Sequence, residues 1–293
     1  MPPMKIASLF APGKTLFSFE FFPPKNDADV DHVLATAREL KALGPSYISV
    51  TWGAGGSTRR KTLDIVSAIK NDVGVESMAH LTCVGAGRAE IDEILADIAR
   101  RGVKNILALR GDPPKGATAF APHPEGFRHA NELVAHIRRS HDFCLGVAGY
   151  PEGHVESPDR DRDMDFLKRK IDAGADFVVT QLFFDNADFL RFRDRAAARG
   201  VRVPIVAGLM PITNAGQVQR FTQLCGARLP APLLAELDRR RDDAEAVTRL
   251  GVDHATAQCR GLLAEGVAGI HFYTLNRSRS TAEILRRLQT PAA

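Results

Sequence analysis

The chain has only four cysteines, Cys83, Cys144, Cys225 and Cys259, far apart and with no Cys-x-x-Cys pair. This spacing argues against a thiolate zinc centre and against a disulfide framework, and it fits a reducing, cytoplasmic setting. His80 and His154 stand apart from other potential ligands, so no metal site is expected. No apolar run approaches the roughly 20 residues that span a bilayer. Met1 to Gly13 holds prolines and a lysine but no sustained apolar stretch, so it reads as a short arm rather than a secretory leader. An excess of one charge is also missing: Lys and Arg number 39 against 35 Asp and Glu, a net of +4. The arginine pairs at Arg59, Arg100 and Arg138, and the triplet from Arg239, fall in helix-like segments and read as solvated faces, not a nucleic-acid patch. A small anionic molecule is compatible with that charge. A Gly-rich dinucleotide turn is absent too, since Gly53-Ala54-Gly55-Gly56 has the wrong spacing.

What the chain does have is alternation. Short β-rich runs, Leu16–Phe22, Tyr47–Thr51, Ser77–Cys83, Asn105–Arg110, Cys144–Tyr150, Phe177–Phe184, Val203–Met210 and Gly269–Leu275, are separated by helical patterns. Most steps are about 30 residues, the length of a βα unit. Val30, Val33, Leu34, Ala37 and Leu40 keep the helical period until Gly44 and Pro45 stop it. Ile91, Ile94, Leu95 and Ile98 do the same up to Gly102, and Asp185 or Asn186 caps a helix ending near Gly200. A last helix is expected over Thr281 to Leu288. The pattern predicts an α/β chain: a (β/α)8 barrel over 14–293 behind the arm of 1–13. The stretch from Leu229 to Glu265 is long enough for an extra helix, opened by Pro230 or Pro232, before the eighth strand.

Polar residues recur at the ends of these strands: Glu20, Thr51, His80, Arg110 with Asp112, Tyr150, Gln181, and Asn276 with Arg277. In a barrel such ends converge on one mouth, where active sites are built. Parity sends Ser18 and Glu20 one way and Phe17, Phe19 and Phe21 the other, so Glu20 faces the lumen. A lumen carboxyl group can serve as a proton donor; a buried glutamate held in a salt bridge is the other reading. Asp112 before Pro113-Pro114 fits a turn cap as well as a site, and Gln181 fits a satisfied buried amide.

Eight blocks together resemble the methylenetetrahydrofolate reductase family. They are Ser18-Phe19-Glu20-Phe21-Phe22-Pro23-Pro24-Lys25, Val50-Thr51-Trp52-Gly53-Ala54-Gly55-Gly56, His80-Leu81-Thr82-Cys83 and Leu109-Arg110-Gly111-Asp112-Pro113-Pro114. The others are Tyr150-Pro151-Glu152-Gly153-His154, Leu167-Lys168-Arg169-Lys170 with Asp172-Ala173-Gly174-Ala175, Thr180-Gln181-Leu182-Phe183-Phe184-Asp185, and His271-Phe272-Tyr273-Thr274-Leu275-Asn276-Arg277. The resemblance implies a TIM barrel that binds FAD. It further implies ping-pong interconversion of 5,10-methylenetetrahydrofolate and 5-methyltetrahydrofolate, with NAD(P)H as the other substrate, in the one-carbon metabolism that feeds methionine synthesis.

By the same resemblance, Glu20 is the general acid, Asp112 the catalytic carboxylate that binds the pterin and influences the flavin, and Gln181 an amide contacting folate and nicotinamide in turn. Leu275 and Arg277 are further folate contacts. Thr51, His80, Arg110, Gly111, Asp112, Ala130, Ala148, Tyr150, His154, Asp163, Arg169 and Lys170 are the FAD contacts. Arg110 and Lys170 suit the pyrophosphate charge. An exposed helix lysine and a first-turn acid remain the local alternatives for Lys170 and Asp163. His271, inside the last strand, reads as structural. A homo-oligomer, dimer or tetramer, is implied, and control by S-adenosylmethionine is not expected.

Three positions depart from the family pattern. Ala215 stands for an aromatic, His129 for a tyrosine and Phe166 for an asparagine. Loss of the ring at Ala215 removes stacking worth about 0.5–1.5 kcal/mol. Altered nucleotide or folate affinity, favouring oxidation of the methyl compound, is one reading; compensation by Phe221 or Phe183 is the other. The rival functions are another FAD barrel oxidoreductase resembling proline dehydrogenase and a non-catalytic flavin- or folate-binding barrel. An aldolase-type barrel lacks its Schiff-base lysine late in a strand.

Overall fold

The computed structural model describes residues 4–24, 26–52, 56–113, 120–157 and 159–289. Lys25, Gly53 to Gly55 and Pro114, members of the blocks quoted above, lie outside the described residues. Eight parallel strands close into a barrel in chain order: β1 (Leu16–Phe21), β2 (Tyr47–Val50), β3 (Ser77–Thr82), β4 (Asn105–Leu109), β5 (Cys144–Gly149), β6 (Phe177–Thr180), β7 (Ile205–Leu209) and β8 (Gly269–Tyr273). Helices follow the strands: α1 (Val30–Lys41), α2 (Gly56–Ala68), α3 (Arg88–Arg100), α4 (Ala130–Ser140), α5 (Arg160–Asp172), α6 (Asn186–Ala198), α7 (Ala215–Cys225), α8 (Ala231–Arg239), α9 (Ala244–Ala264) and α10 (Arg279–Gln289). The expected extra helix is α8, with Pro230 at its N-cap. Asp185 caps α6 by accepting from the Ala187 amide, and the positive-φ Gly44, Gly102 and Gly200 follow their helices.

Strand parity sorts the core into two layers. Phe19, Phe21, Ile48, Val50, Ala79, Leu81, Ile106 and Ala108 face outward and pack beneath the helices. Inside, Tyr47, Met78, Leu107, Cys144, Phe177 and Val206 fill the lumen from the floor, and Ile6 of the arm is buried among them. The arm is pinned by the Met4 amide on Glu76, the Ile6 amide on Asn105 (2.7 Å) and the Ala7 amide on Cys144 Sγ (3.3 Å). Burial pushes the Cys144 thiol up to about 12 and the Cys83 thiol to about 11, so both remain protonated.

Every strand is shorter than its expected run, β1 to β5 by a single residue and the other three by more. β6 stops at Thr180 rather than Phe184, because Gln181 to Phe184 peel away: Phe183 packs on Phe189 in the outer core, while Leu182 and Phe184 join a satellite cluster with Met210 and Ile212. β8 ends at Tyr273, since Leu275 and Asn276 take left-handed φ of 53° and 59°. β7 begins at Ile205, with Pro204 just before it accepting from the Val178 amide through its carbonyl.

Candidate active site

Glu20 is the centre of the arrangement. It pairs in register with Ser49 on β2 and Tyr273 on β8, so its side chain enters the lumen between those strands. Its Oε2 lies 3.2 Å from His271 Nε2 and 3.4 Å from His80 Nε2, and all three side chains are buried. Behind His271, Ser18 Oγ sits 2.7 Å from Nδ1, and Tyr47 stacks on the imidazole with 6.0 Å between centroids. His80 Nε2 is buried with no hydrogen-bond partner, because its approach to Glu20 is poorly aligned. Burial drives His80 down to about 4, against the pull of Glu20. The alternative reading of a salt-bridged glutamate thus takes the form of a carboxyl group flanked by two imidazoles.

A second group lies at the ends of β4 and β5. Lys170 is drawn in from α5 and donates to the Ala148 carbonyl at 2.5 Å. Burial lowers it to about 8, partly offset by Asp163, whose own carboxyl burial pushes upward. The exposed-lysine reading of Lys170 is thereby overturned. Tyr150 lies edge-on to His154 at 4.6 Å, and the Lys170 ammonium is 5.8 Å from the Tyr150 ring. Arg110 makes two bonds to Glu156, at 2.6 and 2.7 Å, and stacks on Phe120 at 4.6 Å. Gly111 holds a φ of +90°, and a Cβ there would come within 2.5 Å of Val84 Cγ1, so this turn accepts only glycine.

The remaining expected residues follow strands β2, β4, β6 and β8 or lie on helices α4 and α5. Asp112 is exposed, and the backbone donors that a turn cap would bond, beyond Pro113 and Pro114, lie outside the described residues. The Thr51 amide bonds Phe21, the Gln181 amide bonds Gly149, and Gln181 Oε1 accepts from Leu182 at 2.9 Å. Ala130 opens α4 beside His129. Arg169 is exposed over the Phe166 ring, 5.4 Å from its centroid. Leu275 and Arg277 sit in the left-handed turn after β8, which Asn276 ties to β1 by bonding both the amide and the carbonyl of Phe22.

The departing positions have partners. His129 and Phe166 stack on one another, 6.4 Å apart and 17° from parallel. Phe221 packs in the same cluster as Ala215, whereas Phe183 is turned into the outer core. The residue that sequence reasoning passed over is His271. Its alternation with Phe272, which places it on the lumen side beside Glu20, was the available signal. A cavity of about 390 Å³ between α2 and α3 is separate from all this, and its Arg59 and Arg101 are taken up by Glu90, Asp64 and Asp97.

Among the described residues no group of acidic, histidine and cysteine side chains is set to hold a metal ion, and no helix is long and apolar enough to cross a membrane. Among solved structures, the fold is similar to a Clostridium thermocellum protein titled as binding two copies of 5-methyl-5,6,7,8-tetrahydrofolic acid. The TM-score is 0.62 at 12% identity, covering 93% of each chain. The chain is 38% identical to the 5,10-methylenetetrahydrofolate reductase of Escherichia coli, over 94% of this chain and 91% of that one. It is 42% identical to methylenetetrahydrofolate reductase (NADH) 1 of Arabidopsis thaliana over 97% of its own residues, but spans only 50% of that plant protein. The family profile described as methylenetetrahydrofolate reductase matches residues 5–289. A lumen glutamate, a cationic β4–β5 rim and sequence likeness over nearly the whole length thus converge: the chain belongs to the methylenetetrahydrofolate reductase family.

Proposed function

We propose that the mouth of this barrel interconverts 5,10-methylenetetrahydrofolate and 5-methyltetrahydrofolate, using FAD and a nicotinamide nucleotide that occupies the folate's place in turn. The observation that carries the reading is Glu20, a carboxyl group sunk in the lumen with one oxygen 3.2 Å from the His271 imidazole and 3.4 Å from that of His80. Relatives named for NADH favour that nucleotide.

The residues present fit a flavin dinucleotide. His80 offers a buried nitrogen without a partner, while Arg110 and Lys170 offer cations to a pyrophosphate. The N-terminus of α4 at Ala130 adds backbone donors. Tyr150, His154 and Asp163 shape the wall behind Lys170, with Thr51, Gly111 and Ala148 giving close backbone approach. The His129–Phe166 stack, bordered by Arg169, is a flat surface suited to a nucleobase. Bound there, the flavin supplies the two-electron carrier that no side chain provides.

The chain's own groups handle protons and orientation. Glu20 gives its proton to the folate nitrogen whose bond to the bridging carbon breaks, and recovers it in the reverse direction. Asp112 accepts the paired N–H donors of the pterin edge. Gln181 turns its amide to folate or nicotinamide, and Leu275 and Arg277 border the folate from the β8 turn. We take the Ala215 replacement as compensated by Phe221, which lies in the same cluster.

The absorbance spectrum of the purified, flavin-reconstituted protein tests the reading. Methyltetrahydrofolate, added anaerobically, is expected to bleach the flavin band, and NADH to bleach it separately. Flavin binding with no bleaching by the folate makes the protein a binder and removes the proposal; bleaching by proline instead assigns it to the rival oxidoreductases.

A further inference from the structure

The proposed acid chemistry requires Glu20 to carry its proton on the oxygen that can reach the folate. Both imidazoles touch the same oxygen, Oε2, and among the described residues Oε1 has no hydrogen-bond partner. An Oε2 left without the proton is an acceptor, so the ring nitrogen facing it must donate. At His271 this puts the hydrogen on Nε2 and leaves Nδ1 as an acceptor, and Nδ1 meets Ser18 Oγ at 2.7 Å. Ser18, fully buried two residues before Glu20 on the same strand face, then donates to the ring. Ser49 Oγ, 3.4 Å from Nε2, and the stacked ring of Tyr47 close the remaining sides.

We infer that His271 is a positioning residue of the reaction: Ser18 fixes its tautomer, and its Nε2–H holds Glu20 Oε2 so that the proton sits on Oε1 and faces the folate. This deepens the function proposed above and rests on Glu20 being the acid. In the step itself the Glu20 O–H bond breaks and an N–H bond forms on the folate. His271 neither gains nor loses a proton, and its donated bond strengthens as the carboxylate forms. A neutral hydrogen bond lost on the acid side and a stronger one lost on the carboxylate side make removal of this donor raise the pH at which proton donation stops. The other titratable groups interacting with Glu20 are His80 on β3, Tyr47 on β2 and Tyr273 on β8. Burial raises both tyrosines, so neither ionises in the working range.

Two amides separate positioning from packing. His271→Gln extends an N–H to about the place of Nε2, whereas His271→Asn reaches only the place of Nδ1. Stopped-flow bleaching of the flavin by NADH, and its reoxidation by 5,10-methylenetetrahydrofolate, are measured across pH for the wild type, both variants, Ser18→Ala and Glu20→Gln. The expected result is a loss of roughly tenfold or more in the folate reaction for the Asn variant, with most of it recovered in the Gln variant. The alkaline limb should move to higher pH in the Asn and Ser18→Ala variants, and the NADH reaction should stay within about twofold. Equal losses for Gln and Asn in both reactions, or no loss in either, overturn the inference. Ser18→Ala gives the same decision if His271→Asn fails to fold. A Glu20→Gln protein that still reacts fully with the folate removes the acid itself. A dead Glu20→Gln beside a normal His271→Asn removes only the positioning role.

Discussion

At the floor of the barrel Lys70 Nζ meets both oxygens of Glu76, at 2.7 and 2.8 Å, and Asn105, Ser77 and Met4 add three more donors to that carboxylate. At the mouth His80 is also buried, yet its Nε2 has no hydrogen-bond partner, and half-buried Lys170 rests on one carbonyl. Both ends place hydrogen-bonding capacity where water is scarce. The floor satisfies it and the mouth leaves it short of partners, which fits the binding role proposed for the mouth. Charge satisfaction at the floor and the proposed binding at the mouth thus fall at opposite ends of the same strands.

The sharpest way to break this comparison is at the floor. Lys70→Met leaves Glu76 ionised, buried and unpaired, and is expected to destabilise the protein by about 3–5 kcal/mol. Adding Glu76→Gln removes the charge and keeps one accepting oxygen, for the Ser77 and Asn105 donors or for the Met4 amide, so much of the loss should return. Urea unfolding checks both, with flavin affinity of the folded fraction expected to hold. A flavin affinity that falls with Lys70→Met would mean that the two ends are coupled.

At the mouth the expected cost is smaller and depends on pH. His80 titrates near 4 in the folded protein and near 6.5 when unfolded. Between those values the unfolded chain binds more protons, so stability present above about pH 6.5 is lost as the pH falls toward 4. Wild-type protein should lose on the order of 2 kcal/mol more than His80→Gln between pH 7 and pH 5. Identical losses in urea melts at the two pH values would show that His80 titrates normally.

The smallest effect belongs to the rim. Glu156 occupies the Arg110 guanidinium as an anionic ligand would, raising Arg110 and holding its own carboxyl down. Because the pair is partly exposed, Glu156→Gln should tighten flavin binding only by roughly two- to fivefold. Quenching of flavin fluorescence, read at low and high salt, measures this. Weaker binding would instead assign Glu156 to holding the loop in place.

The barrel was legible because its signals are local. Alternation along Phe17–Phe21 sent Glu20 inward, and Gly44, Gly102 and Gly200 marked helix ends by a backbone conformation that side chains resist. The sixth run was overextended because Leu182, Phe183 and Phe184 are as apolar as a strand. Only packing shows that they leave the sheet for separate clusters. Lys170 on the polar sequence of α5 gave no hint of burial, since that depends on how α5 lies against β5. Thr51, Gln181 and Arg277 were marked by their place at strand ends and Leu275 by motif likeness alone; among the described residues their side chains make no bond to the Glu20 group.

Sequence by itself determined the number and order of the strands, the face on which Glu20 lies and the family, all of which follow from residue spacing along one chain. Tertiary structure alone decided that Ser18, His271, His80 and Glu20, up to 253 residues apart, share one pocket. Barrel closure pairs β1 with β8, and no periodicity in either strand encodes which atoms that pairing brings within hydrogen-bond reach.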